Sequence, residues 1–224
     1  MKPLTEKHLG VLRRHMVELI GIHMDLTSEE IGRTRLDDRV ERAFLDVPRH
    51  RFVPEEIAAL AYHDTPLPIG FDKTISQPFI GALMIDLLAP EADDVVLEVG
   101  TGLGYQSAVL AELAAQVWSV EVVEEFVAAA RTRLDALAIG NVELRVGDGS
   151  RGWAEHAPFD KILVSAAARQ PPQALIDQLK PGGRMVLPLG PADAQLLTVM
   201  EKSGSGEVTA RKILPVRFTQ LEIA

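Results

Sequence analysis

The chain's 224 residues suffice for one sizeable core and fall short of two full domains. Hydrophobic residues make up 47%, which excludes a disordered chain, and 32 acidic against 23 basic side chains give a net charge of -9, wrong in sign for holding a polyanion such as nucleic acid. There is no cysteine, so disulfides, thiolate catalysis and cysteine-bound zinc are excluded. The start, Met1 to Gly10, is polar and does not read as a signal peptide. The apolar stretch Phe79 to Leu88 is short and holds Asp86, so it cannot span a bilayer. These features predict a cytoplasmic protein with no membrane or nucleic-acid partner.

Leu9, Leu12, Met16, Leu19 and Ile20 recur at helical spacing and predict a first helix. A second is expected from Asp37 to about Leu45, with Val40, Ala43 and Phe44 inward. Val47-Pro48-Arg49 should stop it, because a residue before proline disfavours the helical region. Phe52-Val53-Pro54 begins a third short segment. The run Asp64-Thr65-Pro66-Leu67-Pro68-Ile69-Gly70 is too rich in proline for a helix and reads as an extended loop. After Ser76-Gln77-Pro78, the residues from Phe79 to Ile85 predict a strong helix whose first turn tolerates proline.

From Asp94 the pattern alternates. Strands are predicted at Val95–Val99, Val117–Val120, Val142–Val146, Phe159–Val164 and Arg184–Leu187. Helices are predicted at Tyr105–Ala114, Val123–Leu137 and Pro172–Leu179, the last closed by Pro181-Gly182-Gly183. Two more strands, near Leu196–Met200 and Val208–Ile213, flank the turn Ser203-Gly204-Ser205-Gly206. The fold class expected is α/β, a doubly wound, mostly parallel sheet of about seven strands with an N-terminal helical extension. Residues 1–90 form a leading region that covers the site, and residues 91–224 the α/β part, in one compact unit.

The chemistry gathers at the carboxyl ends of three successive strands, where open α/β sheets bind ligands. Glu98-Val99-Gly100-Thr101-Gly102-Leu103-Gly104 links a strand to a helix, and its glycines allow close backbone approach to a ligand. Glu121 at the tip of the next strand suits two ribose hydroxyls, or the start of the helix after it. Gly147-Asp148-Gly149 ends the third, where the aspartate reads as an adenine contact or as part of a plain turn. A nucleoside-bearing cofactor explains all three. Ser76 has two readings, an N-cap of the helix behind it or a substrate-facing hydroxyl. The six histidines show no metal-ligand spacing.

Several long motifs, in order from about residue 39 to 191, resemble the protein-L-isoaspartate O-methyltransferases. They include Arg39-Val40-x-x-Ala43-Phe44-x-x-Val47-Pro48-Arg49-x-x-Phe52-Val53-Pro54, Tyr62-x-Asp64-x-Pro66-Leu67-Pro68-Ile69-Gly70 and Thr74-Ile75-Ser76-Gln77-Pro78. The glycine loop running on to Leu110, Ala157-Pro158-Phe159-Asp160 and the segment from Pro172 to Gly183 are also similar to theirs. The resemblance implies the class I methyltransferase fold, S-adenosylmethionine as donor, and L-isoaspartyl, with D-aspartyl, residues of damaged proteins as acceptors. It implies Ser76 as the catalytic serine. It also implies that Gly100, Gly102, Glu121, Asp148 and Gly149 contact the cofactor, with Ile75 and Ser76 bordering its methyl end. Glu98 and Gly104 of the glycine loop complete the expected cofactor site, and a monomer without a metal is expected. One segment departs from the pattern. Where the family commonly has Phe-Val-Pro-Leu, this chain has Phe218-Thr219-Gln220-Leu221. A methyltransferase of the same fold with another carboxylate acceptor is the alternative reading.

Overall fold

The computed structural model describes residues 5–222, so the first four residues of the polar start and the last two of the chain lie outside it. Seven strands form the central sheet: β3 (Val95–Val99), β4 (Gln116–Glu121), β5 (Val142–Val146), β6 (Phe159–Val164), β7 (Leu179–Leu189), β8 (Gln195–Lys202) and β9 (Val208–Val216). Their order is β5-β4-β3-β6-β7-β8-β9. The first five are mutually parallel, and β8 and β9 add antiparallel at one edge. The helices between the parallel strands are α5 (Tyr105–Ala111), α6 (Glu124–Ala136) and α7 (Gln173–Gln178). The α/β expectation therefore holds, strand for strand.

The leading region contains α1 (Glu6–Leu26), α2 (Ser28–Ile31), α3 (Asp38–Asp46), 3-10 turns at Arg49–Phe52 and Glu55–Leu60, and α4 (Pro78–Leu88). Nearly all of α4 is buried, which accounts for its unbroken apolar sequence. It packs against β6 and β7 on one side and against α1 and α3 on the other. Its one acid, Asp86, is 1% exposed, and burial raises its pKa despite its partners. The carboxylate accepts from the Asp37 backbone N–H at 2.8 Å and pairs with Arg33. The segment between α2 and α3 is thereby fastened to α4.

Three details differ from the sequence expectation. Residues 64–70 are not all loop: β1 (Leu67–Gly70) pairs antiparallel with β2 (Lys73–Ile75). Pro68 is tolerated because a two-stranded ribbon has free edges. Pro181-Gly182-Gly183 does not close a helix but lies within β7, at a register shift against β6 that absorbs proline and glycine. Finally, α5 stops at Ala111, three residues early. The Asn141 side chain donates to the carbonyls of Ala111 and Ala114 at 2.9 and 3.1 Å and takes over the helix end.

Removing the Asp86 carboxylate strands Arg33 and the Asp37 N–H. Asp86→Ala is expected to lower stability by about 2–3 kcal/mol. Urea unfolding at neutral pH, followed by circular dichroism, should show this as an earlier midpoint in a single transition.

Candidate active site

At the carboxyl edge of β3 and β4 the chain forms a cavity of about 930 Å³, its open mouth included. Its lining, largely apolar with the carboxylate of Glu121 among its polar groups, suits a nucleoside-containing ligand. Its wall includes Ile75 and Ser76 from the strap between β2 and α4, and Gly100 and Gly102 from the glycine loop. It also includes Glu121 from the end of β4 and Gly149 from the turn after β5. Phe44, Ile69, Val99, Leu103 and Phe126 make much of the remainder apolar. Lys73 and Glu222 pair at its rim and join the hairpin to the C-terminal segment.

The glycines have local reasons. Gly102 has φ +53, and a Cβ there would stand 3.3 Å from Ile69 Cδ1. A Cβ on Gly149 would lie 2.3 Å from Val99 Cγ1, so only glycine lets that turn settle against β3. Glu121 is nearly buried and holds the loop. Its carboxylate accepts from Gly102 N–H at 2.8 Å and from Val122 and Val123 N–H at 2.9 and 3.1 Å. Glu121 thus borders the cavity and also binds the two backbone N–H groups just before α6.

Three residues expected at the cofactor do not border the cavity. Gly104, with φ +93, starts α5, where a Cβ would press on Ala130 at 3.2 Å. Asp148 turns onto its own loop. It accepts from Ser150 N–H at 2.9 Å and the Ser150 hydroxyl at 2.6 Å, with Arg151 at 3.3 Å. Burial opposes its ionisation, but these contacts outweigh burial and hold its pKa below the ordinary value. Glu98 sits fully buried behind the glycine loop. It accepts from the hydroxyls of Ser107 and Ser119, and Ser119 in turn meets Thr101 at 2.6 Å. Glu98 is thus a support for the loop: its position in the motif matched a ligand contact, but its side chain points into the core behind.

The strap is anchored by a residue the sequence reading did not assign to the site. Arg49 is 1% exposed, borders the cavity and donates to Ala61 O at 2.8 Å and Ser76 O at 2.7 Å. Burial lowers its pKa to about 10, so it stays cationic at neutral pH. Its guanidinium lies 4.9 Å from the centre of the Tyr105 ring. Asp64 fixes the other end of the strap, accepting from Phe79 N–H and Gln77 Nε2, each at 2.8 Å. Asp64 therefore caps α4. The Ser76 hydroxyl makes no hydrogen bond among the described residues, which removes the N-cap reading.

A second concavity lies beside the first, lined by Pro66, Gln77, Ile80, Pro215, Arg217 and Phe218 among others. The two share Thr74, Ser76, Ser165 and Thr219. These four residues, each with a hydroxyl, lie where the two concavities adjoin, and no acid lines the second. Gln106 and Gln220 also line the cavity, and their buried side-chain nitrogens have no hydrogen-bond partner among the described residues. Ser165 donates to the other end of the Gln106 amide at 3.1 Å. A ligand with a ribose within reach of Glu121 fits the residues present. Among the described residues no group of acids and histidines could hold a metal. His23 Nδ1 lies 2.7 Å from the Asp64 carboxylate.

The family model for protein-L-isoaspartate(D-aspartate) O-methyltransferase matches residues 24–222. The chain belongs to that family. It is 52% identical over 221 residues to the protein-L-isoaspartate O-methyltransferase 1 of Polaromonas sp., covering 99% of this chain and 94% of the relative. A counterpart from Anaeromyxobacter dehalogenans is 54% identical over 212 residues, 94% of this chain and 97% of its own. A solved protein-L-isoaspartate O-methyltransferase superposes with a TM-score of 0.79 at 27% identity; it covers 93% of this chain, which spans 65% of that one. The beta-aspartate methyltransferase of Plasmodium falciparum, solved with S-adenosyl-L-homocysteine, gives 0.71 at 25% identity, over 83% of this chain and 91% of its own. As a member of the family, the chain is an S-adenosylmethionine-dependent protein carboxyl methyltransferase.

The buried Glu98 makes stability depend on pH. Burial raises its pKa from 4.5 to about 7, against the pull of the two serine hydroxyls. Between these values the folded chain binds more protons than the unfolded one, so this group's contribution to stability falls as pH rises through the window and is level above it. Glu98→Gln mimics the neutral acid. Its melting midpoint is expected to match the parent near about pH 5 and to exceed it by a few degrees near about pH 8. Thermal melts across that range check this, and a lower midpoint for the variant at the higher pH would refute it.

Proposed function

We propose that the enzyme starts the repair of damaged proteins by methylating the free carboxylate of L-isoaspartyl residues, with D-aspartyl residues as a second acceptor, and that Ser76 orients that carboxylate. The observation that carries the reading is the Ser76 hydroxyl, without a protein partner among the described residues, where the cavity meets an acid-free groove. Relatives named for the same activity support it.

S-adenosylmethionine, when bound, supplies a methyl group activated on a sulfonium. The chain's own residues have correspondingly little chemistry to do. An acceptor carboxylate with an ordinary pKa of about 4 is ionised at neutral pH, so no general base is needed. In this reading Glu121 holds the ribose, Gly100, Gly102 and Gly149 let the backbone close on the nucleoside, and Ile75 borders the methyl end. The apolar wall excludes water, which strengthens each polar contact inside. Ser76 donates one hydrogen bond to the acceptor and keeps its oxygen in line. The strap's two anchors, Arg49 and Asp64, fix where that hydroxyl stands. Glu98, Gly104 and Asp148 act in this reading by supporting the surrounding loops. The same reading has the enzyme work as a monomer in the cytoplasm, on protein and peptide partners.

Labelled methyl transfer to matched isoaspartyl and aspartyl peptides tests the proposal. Label is expected on the isoaspartyl peptide alone, and Ser76→Ala should reduce kcat/KM on the order of 10²-fold. Inert isoaspartyl peptides alongside methylated small acids would instead favour another carboxylate acceptor, a reading motivated by Thr219-Gln220.

A further inference from the structure

We propose that Thr219 is a second acceptor-holding residue, whose hydroxyl shares the substrate carboxylate with Ser76 and sets how tightly the enzyme takes its isoaspartyl substrate. The inference rests on the acceptor reading above and adds a residue to it.

Methyl transfer requires donor and acceptor to meet, and the two concavities share only four residues, each with a hydroxyl. The Ser165 hydroxyl is spent on Gln106. Those of Thr74, Ser76 and Thr219 make no hydrogen bond among the described residues. Thr74 lies in the two-stranded ribbon, and Ser76 is the residue already assigned. Thr219 is held by rigid surroundings. Its carbonyl accepts from Ala167 N–H at 2.8 Å, and Leu221 N–H donates to Ala167 O at 2.8 Å. The preceding residue, Phe218, is gripped on both sides by the Gln195 side chain, which is 3% exposed, at 2.6 and 3.0 Å. A hydroxyl on so fixed a backbone donates at little entropic cost.

The electrostatics agree. The chain carries a net charge of -9, yet the groove has no acid, and Arg217 is its one charged lining residue. An ionised carboxylate has about four lone-pair sites on two oxygens. One oxygen faces the methyl group; the remaining sites, withdrawn from water, need donors. Ser76 supplies one and Thr219 another. A valine at this position would keep Thr219's shape and lack the donor.

Thr219→Val deletes that donor while keeping the shape. With a short peptide bearing one L-isoaspartyl residue, it is expected to raise KM about tenfold, with a smaller fall in kcat. Thr219→Ser should restore most of the affinity. S-adenosylhomocysteine affinity by calorimetry and the melting midpoint should not move in either variant. A KM for Thr219→Val within about twofold of the parent's would overturn the proposal. So would a loss of S-adenosylhomocysteine affinity that matches the rise in KM, since the hydroxyl would then serve the cofactor. A parent enzyme that leaves isoaspartyl peptides unlabelled would instead overturn the underlying acceptor reading.

Discussion

One buried cation organises the approach to the catalytic edge. Arg49 is removed from water almost completely, an arrangement that costs several kcal/mol unless its donors are satisfied. Two carbonyls answer it, one at the end of the 3-10 turns and one on the strap at Ser76. The face of Tyr105 at the start of α5 gives it a third neighbour. A single guanidinium thus links the leading helices, the strap and the first turn of the cofactor loop's helix. Lysine could not bridge them in the same way, because a compact ammonium lacks the planar fork that reaches separated acceptors. The leading region therefore takes part in the site's geometry through this one side chain.

The same division of labour recurs on the sheet side. Cofactor loops need glycine, and glycine gives a loop no stiffness of its own. The stiffness comes from carboxylates. Glu121 grips the loop from the front through Gly102, and Glu98 braces it from behind through Ser107, Ser119 and Thr101. The rear brace carries a cost, visible as the raised pKa of Glu98.

How much of this is legible in the sequence follows from the range of the forces involved. Strands β3, β5 and β6 begin and end where the sequence predicts, because buried parallel strands are continuous apolar runs. The β1–β2 ribbon and the start of β7 escape prediction, since both contain prolines that are tolerated only at a free edge or a register shift. Within the site, residues that backbone position brings to the sheet edge were placed from the sequence: Gly100, Gly102, Glu121, Gly149 and Ser76 all border the cavity. Residues whose role depends on distant contacts were not. Arg49 acts 27 positions from Ser76, and Gln106 meets Ser165 across 59. The available hint was chemical, an arginine set among prolines and aromatics in a segment otherwise fit for burial. Glu98 shows the converse, because it sits in the glycine-loop motif while its side chain faces the core.

The meeting of the two concavities has a consequence for the client protein. The acceptor carboxylate has to come to Thr74, Ser76, Ser165 and Thr219, the residues both hollows share. A client segment that bends toward them leaves some of its own hydrogen bonds. Part of the free energy of docking is thus spent on local melting of the client. Rigid segments resist this and loose ones yield, so the enzyme surveys its clients by their flexibility as well as by their chemistry.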